Sequence, residues 1–510
     1  MKRLATFGVV LVALAVLYVA AWQTLPRTGS TVAAGGATSM AGSTAVVTSV
    51  SSACPPPGPG TGEAHVAMVA VPSQGTTTAG TAQLSAIPSA PAAAPAASPS
   101  GKPAGKTAGK TAGKTAASPA GGAGAAVTFS TADQLTVLAA PAATQDGGTE
   151  ISASGAMAQG FEAEEATAAG LGTLSCPHAG ADMWFVGAGT SAGAPVTRLY
   201  LMNPGAVAAS VEVTIITDSG VQQGLNTAIT VGPGQYVWEN VSQYTAGSVV
   251  LALQVQTSSG QVAAAVWQGP ASGSGGTWLP QASAPATRVV IPGLTASSSA
   301  ARLLVVVPGS ANAKVKVEAL TAHGPFLPFG PAPEDAPAAA SSSFALTSLG
   351  ASAAALVLTS NVPITAGIAV SGSGVGSFSA AAAPVTGQGV VVGNPVGGQS
   401  SVGLVLSAPG SAVTATVTVL PEAGGQAPAP EVVQVPAGST VTATVKPPAG
   451  KQPFAIVVTP GQGSGPLYAA RVVTSGSGLS GQVMSILPVP TAATKITLAP
   501  TRDSYLAIMP

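Results

Sequence analysis

The feature that most restricts the fold of this 510-residue chain is an internal repeat. Three stretches read RLYLMNPGAVAASVEVTIITDSG, RLLVVVPGSANAKVKVEALTAHG and VGLVLSAPGSAVTATVTVLPEAGG. Each is an apolar run, a Pro-Gly turn, and an alternating run that closes on glycine. The turns Pro204-Gly205, Pro308-Gly309 and Pro409-Gly410 lie 104 and 101 residues apart. The closing glycines, Gly220, Gly324 and Gly425, each follow their turn glycine by 15 residues. A second hairpin recurs later in every copy, as LALQVQTSSGQVAAAVW, ALVLTSNVPITAGIAV and AIVVTPGQGSGPLYAARVV. Self-similarity at a fixed period marks a repeat architecture.

Alternation of Val211, Val213 and Ile215 with Glu212 and Thr214 has the period of a strand with one buried and one wet face. With 64 glycines and 44 prolines, about a fifth of the chain disfavours helix. About seven short strands per copy, separated by turn signals, predict an all-β chain of tandem immunoglobulin-like sandwiches of about 100 residues. Units over 183–292, 293–392 and 393–510 follow, with short connections that predict a rod. A barrel or propeller-like arrangement is the competing architecture.

Upstream, Lys2 and Arg3 precede an apolar run from Leu4 to Trp22, long enough to span a bilayer. Residues 1–25 are therefore expected to form a signal-anchor transmembrane helix, with the chain beyond it outside the cell. Val19-Ala20-Ala21 also resembles a cleavage site, so secretion after cleavage is the alternative. Residues 26–182 are expected to form a small β domain. Within it, 72–124 is rich in Ala, Pro, Ser, Thr, Gly and Lys, and is expected to be disordered. The only cysteines, Cys54 and Cys176, both lie on the exported side and are expected to form a disulfide.

The segments CPHAGADMWFVGAG, RLYLMNPG, WLPQASAPATRVVIPG and GPLYAAR resemble those of a family of actinobacterial, membrane-anchored envelope proteins with no assigned function. The resemblance covers most of residues 40–510 apart from the Lys-containing segment. It implies an exported, anchored, β-rich protein and supplies no catalytic residues.

Little else in the sequence reads as chemistry. Zero formal net charge and 7% charged residues exclude a basic nucleic-acid stripe. GKTAGKTAGKTA, residues 105–116, repeats every four residues, whereas a phosphate loop requires Gly, four residues, then Gly-Lys-Ser/Thr. No nucleotide is therefore expected there; the stretch reads as a locally basic tether. GTSAG around Ser191 matches a hydrolase elbow, but Pro195 and a further strand follow where a helix is needed. Cys176, His178 and Asp182 are too few for a zinc site, and no metal or cofactor is expected. Glu162, Glu164 and Glu165 read as a solvated acidic cluster.

Aromatic residues offer the best candidate site. Aligning Gly234 with Gly438 places Tyr236 and Trp238 opposite Thr440 and Thr442, on the apparent wet face. Exposed rings there would form a platform for sugar or protein; core burial is the competing reading. Arg471 aligns with Val266 and Ile368, as a buried donor or a group facing a partner. The function expected is a non-catalytic extracytoplasmic display, scaffold or binding module for envelope polysaccharide or protein. A serine hydrolase using Ser191 or a dedicated carbohydrate-binding protein is the alternative.

Overall fold

The computed structural model describes residues 44–59, 64–72, 79–88, 127–130, 132–133, 136–139, 147–167, 172–192, 196–223, 228–270, 276–295, 301–346, 353–370, 376–397, 400–450, 452–476 and 483–497. Two compact units divide the chain: one is 46–496, and the other combines 1–45 with 497–510. Only Thr44, Ala45 and Thr497 of the second are described. The expected anchor, the tether at 105–116 and all of 89–126 lie outside the described residues. Among the described residues, no helix is long and apolar enough to cross a membrane.

Among its described residues, unit 46–496 is all-β apart from single 3-10 turns. Its strands fall into four groups of eight main strands, each folded into two facing sheets with an apolar core between them. The fourth group shows the plan. Gly389–Asn394, Phe454–Pro460, Val413–Pro421 and Glu431–Val435 form one sheet in that order. Ser439–Thr444, Ser400–Ala408, Tyr468–Ser475 and Val483–Pro488 form the other. By strand number the sheets are first-sixth-third-fourth and fifth-second-seventh-eighth. The second and third groups repeat this order, and in the third a single 17-residue strand, Ala354–Val370, serves as both sixth and seventh.

The same order occurs where no repeat was legible. Ser49–Cys54, Gly148–Ser154, Thr81–Ile87 and Val127–Phe129 form one sheet of the first group; Thr136–Ala139, Ala64–Ala70, Phe161–Thr167 and Leu174–Ser175 form the other. The described residues thus form four equivalent sandwiches. The third strand of the first one, Thr81–Ile87, falls inside the stretch expected to be disordered. Ala82, Leu84 and Ile87 are buried there, enough apolar side chains to fix a strand against Gly148–Ser154.

The order also departs from the immunoglobulin one. The second–fifth and third–sixth pairs are shared with that fold. Here, however, the first strand lies beside the sixth and the seventh beside the second, whereas immunoglobulin domains pair first with second and sixth with seventh.

The sandwiches do not form a rod. Ala53 and Ile87, from the first sheet of sandwich one, pack on Tyr200, Met202, Tyr236 and Trp267 of the second sheet of sandwich two. Trp184, Val186 and Ala252, from the first sheet of sandwich two, meet Leu304 and Val306 of sandwich three. Val290, Ala355 and Val357 of sandwich three meet Tyr468 of sandwich four. Finally, Val390, Val392 and Val457 of sandwich four meet Ala67 and Val69 of sandwich one. Each joint sets a first-sixth-third-fourth sheet against the next fifth-second-seventh-eighth sheet, and the fourth joint closes the circle. Strands at these joints are buried on both faces, so they read as continuous apolar runs such as LLVVV and GVVVGN.

Candidate functional site

Ring closure brings the four eighth strands together on the axis. Each carries a hydroxyl residue at or near its start: Thr173 just before Leu174–Ser175, Thr277 and Ser377 as first residues, and Ser485 as the third residue of Val483–Pro488. Thr173 Oγ1 and Ser485 Oγ are 3.1 Å apart, and Ser377 Oγ donates to the carbonyl of Met484. These hydroxyls border a space of about 10 Å³, room for about one water.

Beyond the hydroxyls, each chain segment runs from its eighth strand into the link to the next sandwich. Residues 174–178, 279–283, 381–383 and 487–491 together line an axial cavity of about 290 Å³ that is half open to solvent. Its walls are mostly Ala, Leu and Pro, with Phe185 also lining it. Gln281, Ser283 and Thr491 add neutral polar atoms. The charged groups come only from sandwich one, as Glu162 and His178.

Glu162 is buried and His178 is 44% exposed at its side chain, toward the cavity. Their Nε2 and Oε1 atoms are 3.8 Å apart. On the other side of the ring, His178 Nδ1 is 2.7 Å from the hydroxyl of fully buried Ser52. Burial pushes the Glu162 carboxyl up and the nearby His178 partly offsets this. Burial works against charge on His178, but the nearby Glu162 carboxyl outweighs it and raises the imidazole's pKa. Alignment on the axial hydroxyls sets His178 against Ala282, Ala382 and Pro490, so one sandwich in four carries a titratable group at that position.

The seam between sandwiches one and four is held by a buried ion pair. Arg471 Nη2 lies 2.5 Å from Glu164 Oε1, with both side chains at most 2% exposed. Arg471 also donates to Thr173 Oγ1 at 2.7 Å and to the Val392 carbonyl at 2.9 Å. The Val392 N–H in turn donates to Glu164 Oε2 at 3.0 Å. Burial raises the Glu164 pKa, opposed by Arg471. The residue that Arg471 faces is thus in the chain's own first sandwich.

The acidic trio is therefore not a solvated cluster. Glu162, Glu164 and Glu165 are 3%, 1% and 2% exposed. Glu165 is the unsupported one: its Oε1 is buried without a hydrogen-bond partner, and burial pushes its carboxyl up to about 8. Among the described residues, no group of three or more His, Cys, Asp or Glu side chains could hold a metal.

Cys54 and Cys176 form a disulfide that ties the end of the first strand to the link after the eighth. Tyr236 and Trp238 do share the outer face, with Val237 turned to the core. Ring formation separates their fates. Tyr236 is 5% exposed under sandwich one, with its ring 6.5 Å from Tyr200. Trp238, two residues further along, is 48% exposed, with the Arg198 guanidinium 4.8 Å above its ring. The two-ring platform is thus reduced to Trp238 and Arg198. Trp184, Trp267 and Trp278 are all buried, at joints rather than in sandwich cores. Ser191 sits in a 3-10 turn, Thr190–Ala192, and its Oγ donates to the Ser248 carbonyl at 2.6 Å. No hydrogen bond joins Ser191 to a histidine among the described residues.

The axial cavity was not read from the sequence, although its signal is present. TLSCP, TWLPQ and SILPV each pair a hydroxyl residue with a downstream proline at the end of a unit. No curated protein and no solved structure matches the chain. Residues 137–448, from the fifth strand of sandwich one into sandwich four, match the model of a protein family. With that match covering more than half of its length, the chain belongs to the family of unknown function DUF5719.

Proposed function

We propose that this protein is a non-catalytic binding and scaffold module of the cell exterior, anchored by its N-terminal apolar run or released by its cleavage. It displays a rigid surface to an envelope polysaccharide or protein. The observation that carries this reading is the closed circle of four sandwiches. All four joints are spent on internal packing, so loops, sheet edges and the Trp238–Arg198 pair are what the ring offers to a partner. The Cys54–Cys176 bridge supports an oxidising location outside the cytoplasm. The shared second–fifth and third–sixth pairs support treating each sandwich as a variant of the immunoglobulin-like type.

The test is co-sedimentation with isolated envelope polysaccharide. Retention of the wild type, reduced several-fold in Trp238→Ala, is the expected result; equal retention by both sinks Trp238 as the contact. A serine hydrolase remains the competing class, and Ser191→Ala with unchanged activity on ester substrates would remove it.

A further inference from the structure

Beyond the outer surface, the axial cavity has the attributes of a ligand site. It is built by four separate segments that meet only when the ring closes, and its lining is mainly hydrocarbon. At about 290 Å³ it has about twice the volume of an engineered 150 Å³ cavity that accepts benzene. A six-membered ring with a short substituent is therefore the right size of occupant.

The polar end selects the head group. A separation of 3.8 Å between His178 Nε2 and Glu162 Oε1 is too long for a direct hydrogen bond. One oxygen placed between them can lie within hydrogen-bond distance of both. A hydroxyl satisfies both at once, accepting from Nε2–H and donating to the carboxylate. An ammonium would gain Glu162 but face the imidazolium, and a carboxylate would gain His178 but face Glu162, so each sets a repulsion and its own desolvation against one attraction. A bare hydrocarbon would leave the pair unbridged. Ser52, held at 2.7 Å from Nδ1, fixes the ring so that Nε2 points at this position. The other three sandwiches place Ala282, Ala382 and Pro490 at the position of His178, which leaves their walls apolar.

We infer that the axial cavity binds a small neutral alcohol whose hydrocarbon ring fills the apolar walls and whose hydroxyl bridges Glu162 and His178. This site is independent of the Trp238 surface, so either can fail without the other.

Benzyl alcohol, toluene, benzylammonium and benzoate serve as probes, titrated by calorimetry into the full chain. Benzyl alcohol is expected to bind once per chain and at least tenfold more tightly than the other three. His178→Ala should reduce benzyl alcohol affinity about tenfold and leave toluene unchanged. Ala383→Phe, at an exposed wall position, should abolish binding of both. Ala382→Leu is the second blocking variant should Ala383→Phe melt early. Absence of saturable binding, toluene binding as tightly as benzyl alcohol, or unchanged affinity in a folded blocking variant would each overturn the assignment.

Discussion

At the scale of single residues, burial changes the meaning of charge. Glu165 has a carboxyl held near 8 in the fold against 4.5 in the unfolded chain. The folded state therefore binds the extra proton between these values. Stability is full below about pH 4.5 and declines as pH rises toward 8, by up to about 1.4 kcal/mol per pH unit. Glu165→Gln should match the wild type in urea unfolding near pH 4.5 and exceed it at pH 8; parallel curves for the two proteins would show that Glu165 is not the cause. Arg471 leads to the opposite expectation. Arg471→Ala leaves Glu164 buried without its counter-ion and should cost about 3–5 kcal/mol. The double change Glu164→Gln with Arg471→Met should recover much of that loss, measured by thermal melting. The sequence alignment already showed Arg471 at a core position. What it could not show was Glu164, 307 residues away on a strand with no recognisable repeat mark.

At the scale of strands, glycine and the disulfide set how closely sheets and sandwiches can meet. Gly293 sits at φ +95° in Ala286–Leu294, where the pairing register shifts. A Cβ there would lie 2.6 Å from Ile486 and 2.7 Å from Ala470, across the joint to sandwich four. Gly293→Ala should lower stability by about 1–2 kcal/mol from backbone strain alone, with further loss from the clash. Hydrogen exchange should show the extra opening concentrated in Ala286–Leu294 and Tyr468–Ser475. Reduction of Cys54–Cys176, which closes a loop of 122 residues, should cost about 4–5 kcal/mol in the chain-entropy model. A melting temperature unchanged by reductant would contradict that. Alternation made most strand faces legible, including the outward register of Tyr236 and Trp238. It fails at the joints because alternation assumes one wet face. Val186, Val306 and Val390 point outward from their sandwiches yet are 1%, 0% and 1% exposed. The runs LLVVV and GVVVGN carried that information, since a strand with two apolar faces needs two neighbours.

At the scale of the whole molecule, three of four sandwiches were visible as repeats. The first was hidden because it lacks the Pro-Gly turn and carries the 89–126 stretch between its third and fourth strands. Without that fourth copy, three units gave no reason to close a circle. Removing sandwich one should expose the Tyr236–Trp267 face and the Val390–Val457 face together. A chain beginning at residue 181 should therefore bind a hydrophobic dye strongly and associate, whereas a rod would tolerate loss of its end. Dye binding equal to that of the full chain would argue against the circle. Every joint uses two different, complementary faces, which is the geometry that in separate molecules produces endless filaments. Here the covalent chain makes the last joint an internal encounter, with an effective concentration set by tether rather than by dilution. The Glu164–Arg471 seam is thus a latch that keeps two adhesive ends off other copies. Loosened in a crowded solution, those ends would polymerise the molecule head to tail.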